Sequence, residues 1–246
     1  ISFIVISCIP LFSFIPNTAE TAFYGLIKGA EDYLNKIKIE RIMSWEKAFD
    51  EEKLSEMVNR KIRIEKIAIK DVKLRTFITE DSSRNEMVQH VYDITYGTVR
   101  KDIDTLVVID DSIVRGTTLR ESIIRMLSRL KPKRIIVVSS APQIRYPDCY
   151  GIDMSKMVDF IAFKAAIELI KESGRETLLD EILSKCKELQ HNNQLHTENL
   201  VRQVYKPFSL DEISTKIAQL IKPDDINIPV DVIYQKIETL HEACPG

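Results

Sequence analysis

Apolar and polar positions follow one another along the chain in blocks that predict strands and helices in turn. Residues 1–16, ISFIVISCIPLFSFIP, are a β-branched apolar run ending at proline, which predicts one or two buried strands. Apolar residues at helical spacing follow as far as Leu34, behind the candidate cap residues Asn17 and Thr18. The chain therefore opens with a strand and then a helix.

Residues 36–97 carry weaker patterns. Residues 36–66 are charge-rich, helical or irregular, and give no clear boundaries. Residues 66–84 alternate and contain β-branched side chains, which predicts a strand or an extended loop. Residues 84–97, RNEMVQHVYDITYG, predict a helix that ends at Gly97.

A βαβ unit follows. Residues 104–111, DTLVVIDD, form a nearly continuous apolar run, typical of a strand covered on both faces of a parallel sheet. Residues 117–130 place leucine and isoleucine on one helical stripe, and residues 132–142 predict the next buried strand. The pattern predicts an α/β fold with a parallel sheet and a right-handed crossover.

Helical patterns dominate the last third of the chain. An apolar helix is expected at 157–174, closed by Gly174, and SLDE at 209–212 has the form of a capping box. We therefore predict a parallel sheet flanked by helices over residues 1–171 and a helical C-terminal extension over residues 172–246.

Composition and charge narrow the function classes. The 246 residues are 44% hydrophobic with a net charge of −2, so no broad basic field favours nucleic acid or anionic lipid as a partner. The apolar opening is too short and too proline-interrupted for a membrane span. Four scattered cysteines suit neither a zinc site nor a disulfide framework, and we expect them to stay reduced in a cytoplasm.

The segment VVIDDSIVRGTT, at 107–118, carries the candidate chemistry. Asp110 and Asp111 end a predicted parallel strand, where ligands bind in such sheets, and a polyol or a divalent cation would relieve their mutual repulsion. Ser112, Gly116 and the threonines 117–118 lead into a helix whose amino end favours a phosphate. The alternative is a structural Asp-rich turn with a threonine N-cap.

This segment resembles the phosphoribosyl pyrophosphate motif of the type I phosphoribosyltransferases. With SSAPQIRYPDCYGIDM at 139–154, the chain looks most similar to the amidophosphoribosyltransferase family over residues 12–246. The resemblance implies the type I phosphoribosyltransferase fold. It also implies displacement of pyrophosphate from phosphoribosyl pyrophosphate by ammonia, the first step of de novo purine biosynthesis.

The resemblance also implies roles for individual residues. The acidic pair would hold the ribose hydroxyls and share Mg²⁺ with Thr18, and Asn17 would lie at a pyrophosphate contact. A lid over the substrate would contribute two positively charged catalytic side chains. The residues implied are Asp110, Asp111 and Thr18 for metal and ribose; Ser112, Arg115, Gly116, Thr117 and Thr118 for the 5′-phosphate; and Lys70 and Arg75 for the lid.

Partners and alternatives complete these expectations. No iron–sulfur cluster is expected, because the cysteines do not supply four ligands, and a homo-oligomer is expected. The chain begins at Ile1 without an N-terminal cysteine, so the glutaminase domain of the family is expected to be absent and free ammonia to be the nitrogen source. The lid is one residue shorter than the family pattern, which keeps a non-catalytic regulator as an alternative. A salvage phosphoribosyltransferase is the third.

Overall fold

Within the described residues, five strands form one parallel sheet. The computed structural model describes residues 10–16, 18–44, 50–70, 92–148, 154, 156–194 and 197–245, and gives only the backbone of 69, 70 and 92–94. The strands are β1 (Leu11–Phe14), β2 (Arg63–Ile64), β3 (Ala68–Lys70), β4 (Tyr92–Ile94), β5 (Thr105–Asp110), β6 (Arg134–Ser139) and β7 (Val230–Tyr234). The sheet has the order β2-β1-β5-β6-β7, and β3 pairs antiparallel with β4.

The helices cover both faces of this sheet. They are α1 (Glu20–Met43), α2 (Glu51–Asn59), a π-helical turn (Leu119–Ile123) continuing into α3 (Ile124–Ser128), a 3₁₀ turn (Met157–Asp159), α4 (Ile161–Glu172), α5 (Thr177–His191), α6 (Arg202–Tyr205), α7 (Leu210–Ile221) and α8 (Ile237–Ala243). None of the described helices is both long enough and apolar enough to cross a membrane.

Two apolar layers hold the sheet between the helices. Alternate residues of each strand point to opposite faces, so one layer joins Phe12, Val107 and Ile136 to α1, and the other joins Leu106 and Ile135 to α3, α4 and α7. A sheet buried on both faces needs nearly continuous apolar strands. The predicted α/β class is therefore confirmed, with the strands at 104–111 and 132–142 where the sequence placed them.

A buried carboxylate lies at the amino end of β5, opposite to the end that carries the acidic pair. The side chain of Asp104 is fully buried and accepts hydrogen bonds from Arg63 of β2 at 2.6 Å and from the Arg100 guanidinium at 2.8 Å. Burial alone would raise the pKa of Asp104, but the hydrogen bonds from Arg100 and Arg63 hold it below its ordinary value. Asp104 therefore stays ionised and links β2 to the start of β5.

Three expectations need correction. Residues 92–94 belong to the strand β4 and not to a helix, because their backbone pairs with β3; residues 84–91 lie outside the described part. The extension at 172–246 is not only helical, since it supplies β7, which pairs in parallel with β6. Thr18 does not cap α1, because Ala19 occupies the N-cap position without a side-chain hydrogen bond.

Candidate functional site

Asp110 and Asp111 lie where β5 ends, at the centre of the sheet. β5 is flanked by β1 and β6, and Asp110 is in register with Ser139, the last residue of β6. The backbone N–H of Asp111 donates to the Asp110 carboxylate at 2.9 Å, so the two residues interact directly at the end of the strand. The carboxyl ends of the three central strands thus meet at the acidic pair, where open α/β sheets bind ligands.

The turn after β1 reaches the same place. The hydroxyl of Thr18, which follows β1 and precedes α1, donates a hydrogen bond to the carboxylate of Asp111. The hydroxyl of Ser112 donates to the other oxygen of that carboxylate at 3.2 Å. Thr18 therefore bonds to a carboxylate 93 positions away in the sequence, and Ser112 bonds to the same carboxylate. The hydroxyl of Thr18 is used here and not as a helix cap.

The electrostatics of the pair suit a cation. Burial, and then the charge of Asp111, raise the pKa of Asp110 to about 7. A bound divalent cation would offset both effects, and carboxylate and hydroxyl oxygens are the donors that Mg²⁺ prefers. Among the described residues no three His, Cys, Asp or Glu side chains converge, so further oxygen ligands would have to come from a substrate or from water.

The loop after the pair contacts the start of α4 and the 3₁₀ turn before it. The N–H of Ile161, the first residue of α4, donates to the carbonyl of Val114 at 2.8 Å. The Arg115 guanidinium lies 3.8 Å from the carboxylate of Asp159. These contacts hold Val114 and Arg115 in place. The side chains of Thr117 and Thr118 are exposed at the start of the helix that follows.

Gly116 is required by its backbone and by its neighbours. Its φ of +72° lies in the left-handed region that favours glycine. A Cβ at this position would stand 2.9 Å from Cγ2 of Ile221 and 3.3 Å from Cγ1 of Ile161. The guanidinium of Arg120 donates to the carbonyls of Leu220 at 2.7 Å and of Lys222 at 3.0 Å, which binds the same helix start to the end of α7. The turn is thus packed directly on the C-terminal helices.

The structure describes the side chains of only some of the residues that the sequence predicted for the site. Lys70 is the last residue of β3, and only its backbone is described. Asn17 and Arg75 lie outside the described residues. The structure therefore brings together Thr18, the acidic pair and the loop as far as Thr118, while the predicted lid stays a prediction.

The sequence reasoning assigned no role to the chain directly after β6, although this segment contacts the acidic pair. The N–H of Ser140 donates to the carbonyl of Asp110 at 2.9 Å, and its hydroxyl donates to the carbonyl of Asp111 at 2.9 Å. The N–H of Ala141 donates to the same carbonyl of Asp111 at 3.1 Å. The sequence did contain a signal for this contact, namely two serines at the end of a predicted buried strand. Because the carboxyl ends of neighbouring parallel strands lie at the same edge of a sheet, these serines could have been placed beside the acidic pair.

A cavity of about 950 Å³ opens elsewhere, among the helices of the C-terminal part. It is lined by Leu178, Thr197, Glu198, Asn199, Arg202, Gln203, Lys206 and Pro207. None of the predicted site residues lines this cavity, and it has no buried charged side chain. The acidic pair is the better candidate site, because its two carboxylates are partly buried and repel each other.

Fold and site together define the class: an α/β protein whose parallel sheet ends in an acidic pair and a glycine-containing turn before a helix. No protein-family model matches the chain. Part of the chain is similar to amidophosphoribosyltransferases. It is 47% identical over 72 residues to that of Haemophilus influenzae (29% of this chain, 14% of the relative). Over 102 residues it is 38% identical to that of Staphylococcus epidermidis (39% and 19%).

These matches confirm the resemblance seen in the motifs, over a part of the chain. The chain matches less than a fifth of the length of these curated relatives, 14% and 19%. A solved glutamine phosphoribosylpyrophosphate amidotransferase from B. subtilis, complexed with ADP and GMP, is 24% identical with a TM-score of 0.42. That alignment covers 70% of this chain and 31% of the solved one.

Proposed function

We propose that this chain carries the phosphoribosyltransferase part of an amidophosphoribosyltransferase and binds phosphoribosyl pyrophosphate together with Mg²⁺. The observation that carries the proposal is the convergence of Thr18 on the Asp110–Asp111 pair at the end of β5. The partial sequence identity to amidophosphoribosyltransferases supports it. Type I phosphoribosyltransferase topology for this sheet belongs to the same proposal.

Different groups of the chain would bind different parts of the substrate. The carboxylates of Asp110 and Asp111 would accept hydrogen bonds from the ribose hydroxyls. The Thr117 and Thr118 hydroxyls and the helix start behind them would bind the 5′-phosphate. Magnesium, held by the acidic pair and Thr18, would supply charge neutralisation for the pyrophosphate.

The reaction then requires no nucleophile from the protein. The nitrogen of ammonia forms a bond to C1 of the ribose, the bond from C1 to the pyrophosphate oxygen breaks, and the electron pair leaves with pyrophosphate. One proton from the nitrogen passes to water, and the products are 5-phosphoribosylamine and pyrophosphate. Positive charge that develops at C1 is stabilised by nearby carboxylates, so positioning and electrostatics supply the rate enhancement.

The test is the release of pyrophosphate by the full chain in excess Mg²⁺. Release that depends on added ammonium chloride at alkaline pH supports the proposal, and Asp111→Asn should lower its rate on the order of 100-fold. The matched control is Asp180→Asn, an exposed aspartate of α5 that should leave the rate unchanged. Binding without release would instead indicate a regulator, and release only with a nucleobase would indicate a salvage enzyme. No binding of phosphoribosyl pyrophosphate would overturn the proposal.

A further inference from the structure

The segment that follows β6, residues 139–145, connects the acidic pair to the C-terminal helices. At one end, Ser140 and Ala141 hold the backbone carbonyls of Asp110 and Asp111, as described above. The hydroxyl of Ser139 donates to the carbonyl of Ala141 at 2.8 Å, which stiffens this end. Because a carbonyl fixes its whole peptide plane, these bonds set the direction from which both carboxylates project.

Gln143 anchors the other end of the segment. Gln143 is 8% exposed, and its amide nitrogen donates to the carbonyl of Leu210, the first residue of α7, at 3.0 Å and to the hydroxyl of Ser214, one turn later, at 2.8 Å. Its amide oxygen accepts from the Arg145 guanidinium at 2.9 and 3.2 Å. A buried amide with all of these bonds made is fixed in one orientation.

Tyr205 of α6 closes the anchor. Its hydroxyl donates to the carbonyl of Arg145 at 2.8 Å, and the Arg145 guanidinium lies 5.1 Å from the centre of its ring. The segment is therefore bound on one side to the backbone carbonyls of Asp110 and Asp111 and on the other side to α6 and α7. Gln143 is the residue of this segment whose side chain bonds to α7.

We infer that Gln143 is a positioning residue for the acidic pair: it holds residues 139–141 in the place from which they direct Asp110 and Asp111 toward magnesium-bound phosphoribosyl pyrophosphate. This inference rests on the proposed function. Gln143 itself touches neither carboxylate, so its effect should fall on the magnesium-dependent part of binding and not on the phosphate loop, which α4 and α7 hold separately.

The experiment compares Gln143→Met with Gln235→Met by calorimetry on the full chain. The side chain of Gln235 makes the same kinds of bond at the start of α8, to the carbonyl of Lys236 at 3.1 Å and to the hydroxyl of Thr239 at 2.7 Å. Its backbone N–H, which donates to the carbonyl of Ser139, is kept in the variant, so Gln235→Met is a control for the loss of a side-chain amide alone. The quantity measured is the ratio of the Kd for phosphoribosyl pyrophosphate in EDTA to the Kd in excess Mg²⁺. A general loss of folding would raise both Kd values by the same factor and leave this ratio unchanged.

We expect Gln143→Met to lower the ratio about 10-fold, in the range found for residues that orient metal ligands, with the Kd in EDTA changed less than about 2-fold. Gln235→Met should leave both constants unchanged. An unchanged ratio in folded Gln143→Met overturns the inference alone, whereas absence of binding by the parent chain overturns the proposed function as well. If circular dichroism shows Gln143→Met unfolded, Ser214→Ala takes its place and should lower the ratio by a smaller factor of about 3.

Discussion

Tyr205 and Tyr234 are two buried tyrosines of the same apolar layer with opposite hydrogen-bond states. Tyr205 donates its hydroxyl to the carbonyl of Arg145 at 2.8 Å. Within the described residues, the buried hydroxyl of Tyr234 has no hydrogen-bond partner. A buried polar group without a partner loses its bonds to water and gains none in return, so it costs stability.

The pair gives a stability prediction with its own control. Tyr234→Phe should raise the free energy of unfolding by about 1 kcal/mol, because it removes a desolvated hydroxyl and keeps the ring. Tyr205→Phe should lower it by about 1 kcal/mol, because it removes the hydrogen bond to the partly buried carbonyl of Arg145. Urea unfolding of both variants tests the difference. A loss of stability in Tyr234→Phe would show that its hydroxyl has a partner.

The raised pKa of Asp110 gives a prediction for how the stability of the metal-free protein depends on pH. Its pKa is raised from an ordinary 3.8 to about 7, chiefly by burial and then by Asp111. Between these values the folded chain holds a proton that the unfolded chain has lost. The free energy of unfolding should therefore decrease as pH rises from about 4 to about 7.

Asp110→Asn removes this effect. In EDTA at pH 8 the variant should be about 1–3 kcal/mol more stable than the parent, and near pH 4 the two should agree. Thermal or urea unfolding at both pH values provides the measurement, with the exposed Asp180→Asn as the control. Equal stability of Asp110→Asn and the parent at pH 8 would contradict the burial and charge repulsion assigned to Asp110.

Among the elements, the turn between β5 and the helix that follows it depends most clearly on distant parts of the chain. Gly116 has a positive φ and lies against Ile221 and Ile161, so the turn can neither change its backbone nor accept a side chain without displacing the ends of α4 and α7. The function of the turn thus depends on elements about 45 and 100 residues further along the chain.

Gly116→Ala should therefore be costly on two counts. We expect a loss of about 1–3 kcal/mol of stability, from the strained backbone and from the contact with Ile221. Binding of phosphoribosyl pyrophosphate should weaken as the turn shifts. The control is Gly29→Ala in α1, where a Cβ meets nothing within 4 Å and the helix should be stabilised. Equal stability of Gly116→Ala and the parent would show that the turn adapts freely.

The strength of the local pattern decided which elements could be predicted. β5 and β6 were predicted correctly because a strand buried on both faces leaves a continuous apolar run. β4 was predicted as part of a helix, because three residues in an antiparallel pair leave no period of their own and the pairing partner β3 lies 22 residues earlier. Thr18 was predicted as a helix cap from its position, whereas the bond it makes is to Asp111, 93 residues away.

At the scale of the whole molecule, residues 172–246 are structurally inseparable from the sheet. β7 extends the sheet beside β6, and Ile213, Ile217 and Ile221 of α7 are buried in the same apolar layer as β5. The sequence showed α7 clearly through its capping box at Ser209 and Glu212, which the structure contains. It did not show that the helix covers the sheet, because a helical period identifies the apolar face and not the surface that it meets.

A truncation tests this dependence. Removing residues 172–246 should abolish the cooperative unfolding transition, because each buried isoleucine of α7 contributes about 1.5–3 kcal/mol and a domain has only about 5–15 kcal/mol in total. The control removes residues 237–246 only, since α8 has no buried residues, and should keep the fold. A cooperative transition in the shorter chain would show that the first 171 residues fold alone.

The central claim is that Asp110 and Asp111, with the turn that follows them, bind phosphoribosyl pyrophosphate together with Mg²⁺. The most direct measurement is calorimetric titration of the parent chain and of Asp110→Asn/Asp111→Asn with phosphoribosyl pyrophosphate in excess Mg²⁺. The account predicts binding by the parent and an affinity at least about 100-fold lower in the double variant, because a desolvated carboxylate pair that holds a cation cannot be replaced by amides. Equal affinity in the two proteins would contradict it.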